Sequence, residues 1–237
     1  MAISKINDEL ETLYQSFYDN SINSIKSRNH SIDTFIDRSI DNRRGLSLVI
    51  RLDEEVRINI EKFTDELRKI DPTQYYQPIS DLHVTVLSII SCHDGFTIDQ
   101  INVDKYIEAI STSLKDIQDI QICFKGVTTT KEAVMIQGFM LNDNLTTLRD
   151  RLRENFRSST LMQDIDTRYL TKTAHITSVR FRERIRNAED FVKTIEEYKV
   201  DFGITRAANI DLIYTDWYCR KSKVKWLNRF ALGKDSS

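Results

Sequence analysis

The sequence predicts an α+β fold built from two related halves and preceded by a helical extension. Three observations carry this. Apolar residues recur at three- and four-residue steps through residues 1–44, the period of an amphipathic helix. From Gly45 onward, β-branched runs alternate with helical stretches, and some strands follow one another directly, the order of sheets with outer helices. That order also contains a near-repeat. A loop bearing tyrosine, a strand bearing His-x-Thr and then a helix occur around residue 84 and again around residue 176.

In the first segment Ile6, Leu10, Leu13, Tyr14 and Phe17 fall on one helical face. Asn29-His30-Ser31 reads as a break, and Ile32, Phe35, Ile36 and Ile40 predict a second, shorter helix ending near Gly45. The stripe is read as an extension packed on the main domain, with a weak dimer contact or a lid as the sharper alternative. Residues 46–52 form a strand, and Asp53 is placed to cap a helix running to Ile70, with Val56, Ile60, Phe63 and Leu67 on one face. Asp71-Pro72 stops it. A loop over 73–80, a strand over 82–90 and a helix over 103–114 follow. Strands over 120–127 and 133–140 flank a turn, and a helix over 144–156 aligns Leu145, Leu148, Leu152 and Phe156. The chain closes with a strand over 173–181, a helix over 188–198 and strands near 200–205, 210–218 and 224–232. The domain division is thus 1–44 and 45–237.

Composition removes several functions. Of 237 residues 40% are hydrophobic, too many for a disordered chain. Lys+Arg number 34 against 36 Asp+Glu, a formal charge of -2, so no stable DNA binding and no nucleic-acid coat is expected. No run approaches the ~18–20 apolar residues of a membrane span, and the N-terminus has no secretory core. A cytoplasmic monomer is therefore expected. With Gly 6, and neither a P-loop nor G-x-G-x-x-G, no nucleotide triphosphatase or dinucleotide cofactor is expected. Cys92, Cys123 and Cys219 lie far apart and form no C-x-x-C, so they are read as reduced, buried and inert. With no H-x-H or H-E-x-x-H pattern, no metal site is expected.

Chemistry concentrates in His83-Val84-Thr85 and His175-Ile176-Thr177. Residues i and i+2 of a strand share a face, so each motif projects an imidazole beside a hydroxyl. The other two histidines, His30 and His93, have Ile32 and Gly95 at that offset. One such motif alone reads more readily as a structural histidine than as a catalyst. Two, in matching strand contexts and with no competing nucleophile elbow, point to a paired site.

On these motifs, with Asp81-Leu82 before the first and Val179-Arg180 after the second, the chain resembles the two-histidine phosphoesterase superfamily. That group includes bacterial RNA 2′,3′-cyclic phosphodiesterases and enzymes called 2′-5′ RNA ligases. The resemblance spans residues 45–232, with Ser178 a departure where an apolar residue is common. It implies two pseudo-symmetric lobes whose antiparallel sheets line a central cleft, with helices outside. It implies general acid–base catalysis by His83 and His175, in either order, with Thr85 and Thr177 donating to phosphate oxygens and no metal required. The reaction would open a 2′,3′-cyclic phosphate or cut a 2′-5′ or 3′-5′ linkage in a nucleotide or a short oligonucleotide, linear or cyclic. Arg180 would bind phosphate, although strict alternation turns position i+5 from His175 to the far face unless a bulge intervenes. Tyr75, Tyr76, Tyr169 and Lys172, in the loops before the motifs, are placed to border the cleft and stack on a base. Tyr214, clustered with Trp217, either reaches the cleft or packs in the core, and the basic run 220–225 is read as a solvated hairpin. Two other readings stand beside the enzyme: a non-catalytic RNA or nucleotide binding module of the same fold, and an interaction protein using residues 1–44.

Overall fold

The chain folds, in a computed structural model that describes residues 3–233, into two antiparallel sheets with helices outside. Residues 1–2 and 234–237, the outer ends of the two predicted segments, lie outside the described residues. Helix α1 (Ile3–Lys26) leads into β1 (Arg44–Arg51), α2 (Glu54–Ile70), β2 (Tyr75–Tyr76) and β3 (His83–His93). A 3-10 turn, Ile98–Gln100, precedes α3 (Val103–Ser113), β4 (Ile120–Thr129), β5 (Ala133–Met140) and α4 (Asn144–Arg157). Then come β6 (Ile176–Arg180), α5 (Ala188–Glu197), β7 (Asp201–Ala207), β8 (Asn209–Asp216) and β9 (Lys225–Ala231). One sheet runs β3-β1-β8-β9 and the other β2-β6-β5-β4-β7, so the two His-x-Thr motifs fall in different sheets. This is the α+β, two-lobed architecture predicted.

The apolar stripes go where their periods direct them. Val56, Ile60, Phe63 and Leu67 of α2 are fully buried, as are Leu145, Leu148, Leu152 and Phe156 of α4. Helix α1 lies against β4 and β5 with Leu10, Tyr14, Ile22 and Ile25 in the common core. Polar contacts fix its register. The Tyr14 hydroxyl donates to the Gly138 carbonyl and accepts from the Gly138 N–H, both at 3.1 Å, and Thr128 Oγ1 donates to the Tyr14 carbonyl at 2.8 Å.

Four local predictions are corrected. Residues 32–40 form turns, not a helix, because their backbone bonds outward: Ser31 N–H to the Lys131 carbonyl and Asp33 N–H to that of Phe181, both at 2.8 Å. Asp53 occupies the N-cap of α2, but its side chain makes no cap bond, and its carboxylate instead accepts from Arg206 N–H at 3.3 Å. The predicted loop over 73–80 contains β2, which pairs with the end of β6. The predicted strand over 173–181 is shorter, so His175 stands one residue before β6.

Candidate active site

The two sheets meet along an open cleft lined by His83, Thr85, His175, Thr177 and Arg180 among others. Strand period explains the convergence. Val84 and Ile176 are fully buried, which turns the residues on either side of each toward the cleft. Neither the Thr85 nor the Thr177 hydroxyl makes a hydrogen bond within the described residues, so both keep a free donor. The loop before each motif docks on the other motif's strand. Gln77 N–H donates to the Ser178 carbonyl at 2.9 Å, and Asp164 N–H to that of Ile89 at 3.0 Å.

Each motif strand also breaks its alternation at the same place. Val134 pairs with Val179 but Met135 with Thr177, so Ser178 is an extra residue in β6, and its hydroxyl donates to the Val134 carbonyl at 3.2 Å. This bulge returns Arg180 to the face of His175 and Thr177. In β3 a register shift falls between the Leu48–Leu87 and Val49–Thr85 pairs, and Ser88, five residues after His83, likewise lines the cleft. The lobes therefore match in backbone but differ in charge, since only the second supplies a guanidinium at this position. The Arg180 side chain makes no hydrogen bond or ion pair within the described residues, and its guanidinium lies 5.5 Å from the centre of the Tyr218 ring.

The imidazoles are held differently. His83 Nδ1 donates to the Asp81 carbonyl at 2.7 Å, which leaves Nε2 for the cleft. Burial alone would lower its pKa, but Cys219 beside it, with the Asp81 carbonyl, carries it above the ordinary histidine value. His175 Nδ1 lies 2.6 Å from Thr173 Oγ1. Burial, reinforced by the charges of Arg149, His83 and Arg180, brings its pKa down to about 4.

Tyr169 lines the cleft mouth and is 64% exposed. Four other predicted residues are not among the lining side chains. Tyr76 donates to the Asp71 carbonyl at 2.6 Å beneath Arg68. Tyr75 packs against Tyr218 at 6.2 Å, behind the lining. Lys172 is exposed and contributes its carbonyl to Arg149. Tyr214 donates to the Phe96 carbonyl at 3.3 Å. Besides Tyr169, the aromatics that reach the cleft are Trp217 and Tyr218, from the turn after β8, with Arg168 over Trp217 at 4.5 Å. The Ile213–Tyr218 run signalled an aromatic cluster, but only the turn geometry separates its inward from its cleft-facing members.

Cys92 and Cys123 are half-buried, not buried as expected, and Cys92 lines the cleft, although burial pushes its thiol up to about 12. Cys219 is buried as expected and also lines the cleft, but it is not inert. Burial raises its thiol, but His83 and Arg51 outweigh this and bring it below the ordinary value. All three cysteines are free. Lys221, Ser222 and Lys223 stand exposed between β8 and β9, as the solvated hairpin required. Among the described residues no group of three or more His, Cys, Asp and Glu is placed to hold a metal ion, and no helix is long and apolar enough to cross a membrane.

No family model matches the sequence, and no curated protein matches it. Solved structures do. A structure described as a phosphoesterase superposes with a TM-score of 0.53 and 14% identity, covering 81% of this chain and 99% of the other. The protein TT0787 of Thermus thermophilus gives 0.52 and 14%, covering 79% and 97%. ATU0111 of Agrobacterium tumefaciens, a conserved protein of unknown function, gives 0.54 and 14%, covering 87% and 97%. At this identity the likeness is one of fold, and the chain has the two-lobed fold of these structures, the architecture that its resemblance to the two-histidine phosphoesterases implies.

Proposed function

We propose that the protein is a phosphodiesterase that opens 2′,3′-cyclic phosphates, or cuts 2′-5′ or 3′-5′ linkages, in nucleotides or short oligonucleotides. The observation that carries this is the convergence of two His-x-Thr pairs and the guanidinium of Arg180 on a single cleft. A phosphate seated there meets two imidazoles, two free hydroxyls and Arg180, the set that in-line displacement at phosphorus requires. No step needs a metal ion.

The asymmetry of the imidazoles assigns their roles. His175, kept neutral, takes a proton from water through Nε2 while its Nδ1–H donates to Thr173. The water oxygen bonds to phosphorus as the bond to the ribose oxygen breaks. His83, the more readily protonated ring, gives its Nε2 proton to that leaving oxygen. Thr85, Thr177 and Arg180 hold the charge that builds on the non-bridging oxygens. The two rings then regain their starting states by proton exchange with solvent. Trp217 and Tyr169 offer flat faces for a base beside the phosphate.

The catalytic unit is assigned to residues 45–237; of the segment before it, α1 packs on β4 and β5, and Asp33 accepts from the hydroxyl of the cleft-lining Tyr218 at 2.8 Å. Since α1 buries its apolar face on its own sheet, a monomer is the working form. Free cysteines suit a reducing compartment such as the cytoplasm.

The test is turnover of nucleoside 2′,3′-cyclic monophosphates, 2′-5′ oligoadenylate and cyclic di- and trinucleotides in EDTA. Turnover of at least one, abolished in the double variant His83→Ala/His175→Ala, supports the reading. Binding of these compounds without any turnover would make the protein a binding module, and activity that requires a divalent ion would overturn the mechanism.

A further inference from the structure

Arg149, on α4, is 2% exposed and is the bulkiest of the fully buried side chains. It has no carboxylate partner among the described residues. Instead its guanidinium donates to four main-chain carbonyls. Nε reaches Val86 at 2.7 Å and Nη2 reaches Thr85 at 2.9 Å. Nη1 reaches Lys172 at 2.8 Å and Nη2 also reaches Thr173 at 2.8 Å. Two of these carbonyls belong to the first motif strand. The other two belong to the segment that enters the second motif, and one is that of Thr173, whose hydroxyl meets His175.

Topology explains why a guanidinium is needed. β3 is the edge strand of its sheet, so carbonyls on its outer side have no neighbouring strand to bond. Residues 172–173 precede β6 and lie outside its ladder. The buried seam between the lobes therefore holds carbonyls from both sides with no backbone donor between them. A planar fork of five N–H donors answers both sides at once, which an ammonium on a flexible stem cannot do.

We propose that Arg149 is the positioning residue of the paired-histidine site, clamping the two motif segments at a fixed separation from inside the protein. This rests on the function proposed above. The same side chain also acts electrostatically. Burial and Arg153 lower its own pKa to about 10, so it remains charged at neutral pH. Its charge joins His83 from β3 and Arg180 from β6 in opposing protonation of His175, with the Thr173 hydroxyl as the ring's hydrogen-bond partner. Around Arg149 itself stand Arg153 and Asp150 on α4, Tyr14 on α1 and Asp166 in the loop before β6.

The two contributions separate by substitution. Arg149→Lys keeps the charge and loses the fork, whereas Arg149→Met loses both. On a turned-over substrate, Arg149→Lys is expected to lower kcat about 10²-fold through misplacement, with KM within a few fold and the acidic limb of the pH profile unmoved. Arg149→Met is expected to shift that limb upward toward the ordinary histidine value of ~6.5. NMR titration of the His175 imidazole needs no substrate and reads the charge effect directly. Its pKa should rise in Arg149→Met and hold in Arg149→Lys. Should Arg149→Met fail to fold, kcat and the His175 titration of Arg149→Lys decide. Full kcat in folded Arg149→Lys overturns the clamp, as does an unmoved His175 titration in folded Arg149→Met for the charge effect. If no substrate turns over in the wild type but the His175 shift occurs, the proposed function fails while the charge effect of Arg149 stands.

Discussion

Thr173 Oγ1 stands 2.6 Å from His175 Nδ1, and this contact determines which ring nitrogen faces the cleft. The opposite ring gets the same service from a backbone carbonyl, that of Asp81, which can only accept. A hydroxyl can be removed by mutation where a carbonyl cannot. Thr173→Val is expected to lower kcat about 10-fold or more, in the range attributed to orienting a general base, with KM little changed. Thr173→Ser should restore most of the rate. Steady-state kinetics on the three proteins checks this.

The pH profile should be broad and asymmetric. His175 must be neutral to act as base, so activity rises as pH passes upward through about 4. His83 must be protonated to act as acid, so activity falls as pH rises through its elevated pKa, above ~6.5. Cys219→Ala removes the neighbour that raises His83, and should move the basic limb to lower pH while leaving the acidic limb in place. A kcat–pH series for wild type and Cys219→Ala measures both limbs.

The same depression of His175 makes stability depend on pH. In the unfolded chain the ring takes a proton near pH 6.5, whereas in the fold it does so only near 4. The unfolded state therefore binds more protons between those values, and the fold loses stability as pH falls from ~6.5 to about 4, by at most about 3 kcal/mol. Denaturant unfolding at pH 7.5 and 4.5 should show a smaller loss for His175→Gln than for the wild type.

Much of this was legible in the sequence because it depends on local period. The stripes of α2 and α4 and the inward Val84 and Ile176 are consequences of 3.6- and 2-residue repeats, and with them His83, Thr85, His175 and Thr177 share a cleft. What depends on tertiary contact was not legible. Ile32, Phe35, Ile36 and Ile40 carry a helical period, yet the backbone of their segment bonds to Lys131 and Phe181. Arg180 sat on the wrong face by simple alternation, and the Ser178 bulge corrects it. Tyr75 and Tyr76 read as cleft aromatics because a loop position does not say which way a ring turns. Trp217 and Tyr218 took that place instead. Arg149 gave no signal at all, since a helical arginine shows nothing in sequence of the carbonyls it will meet.

Gly138 ties the N-terminal helix to the second motif. A Cβ there would stand 2.1 Å from the Ala174 carbonyl oxygen, next to His175, while the Tyr14 hydroxyl holds the Gly138 peptide on its other side. Gly138→Ala is expected to lower Tm markedly and to cost activity by displacing residue 174. Tyr14→Phe leaves a buried N–H and carbonyl without their partner and should destabilise by about 1–3 kcal/mol. Thermal melts of both variants test whether residues 1–44 are structurally integral to the catalytic unit.

Single substitution of each histidine, assayed with one turned-over cyclic phosphate in EDTA, isolates the paired mechanism from everything else. His83→Ala and His175→Ala should each lower kcat by about 10²–10⁴-fold while the protein stays folded, because neither proton transfer can replace the other. Near-wild-type kcat in either folded variant would contradict paired acid–base catalysis.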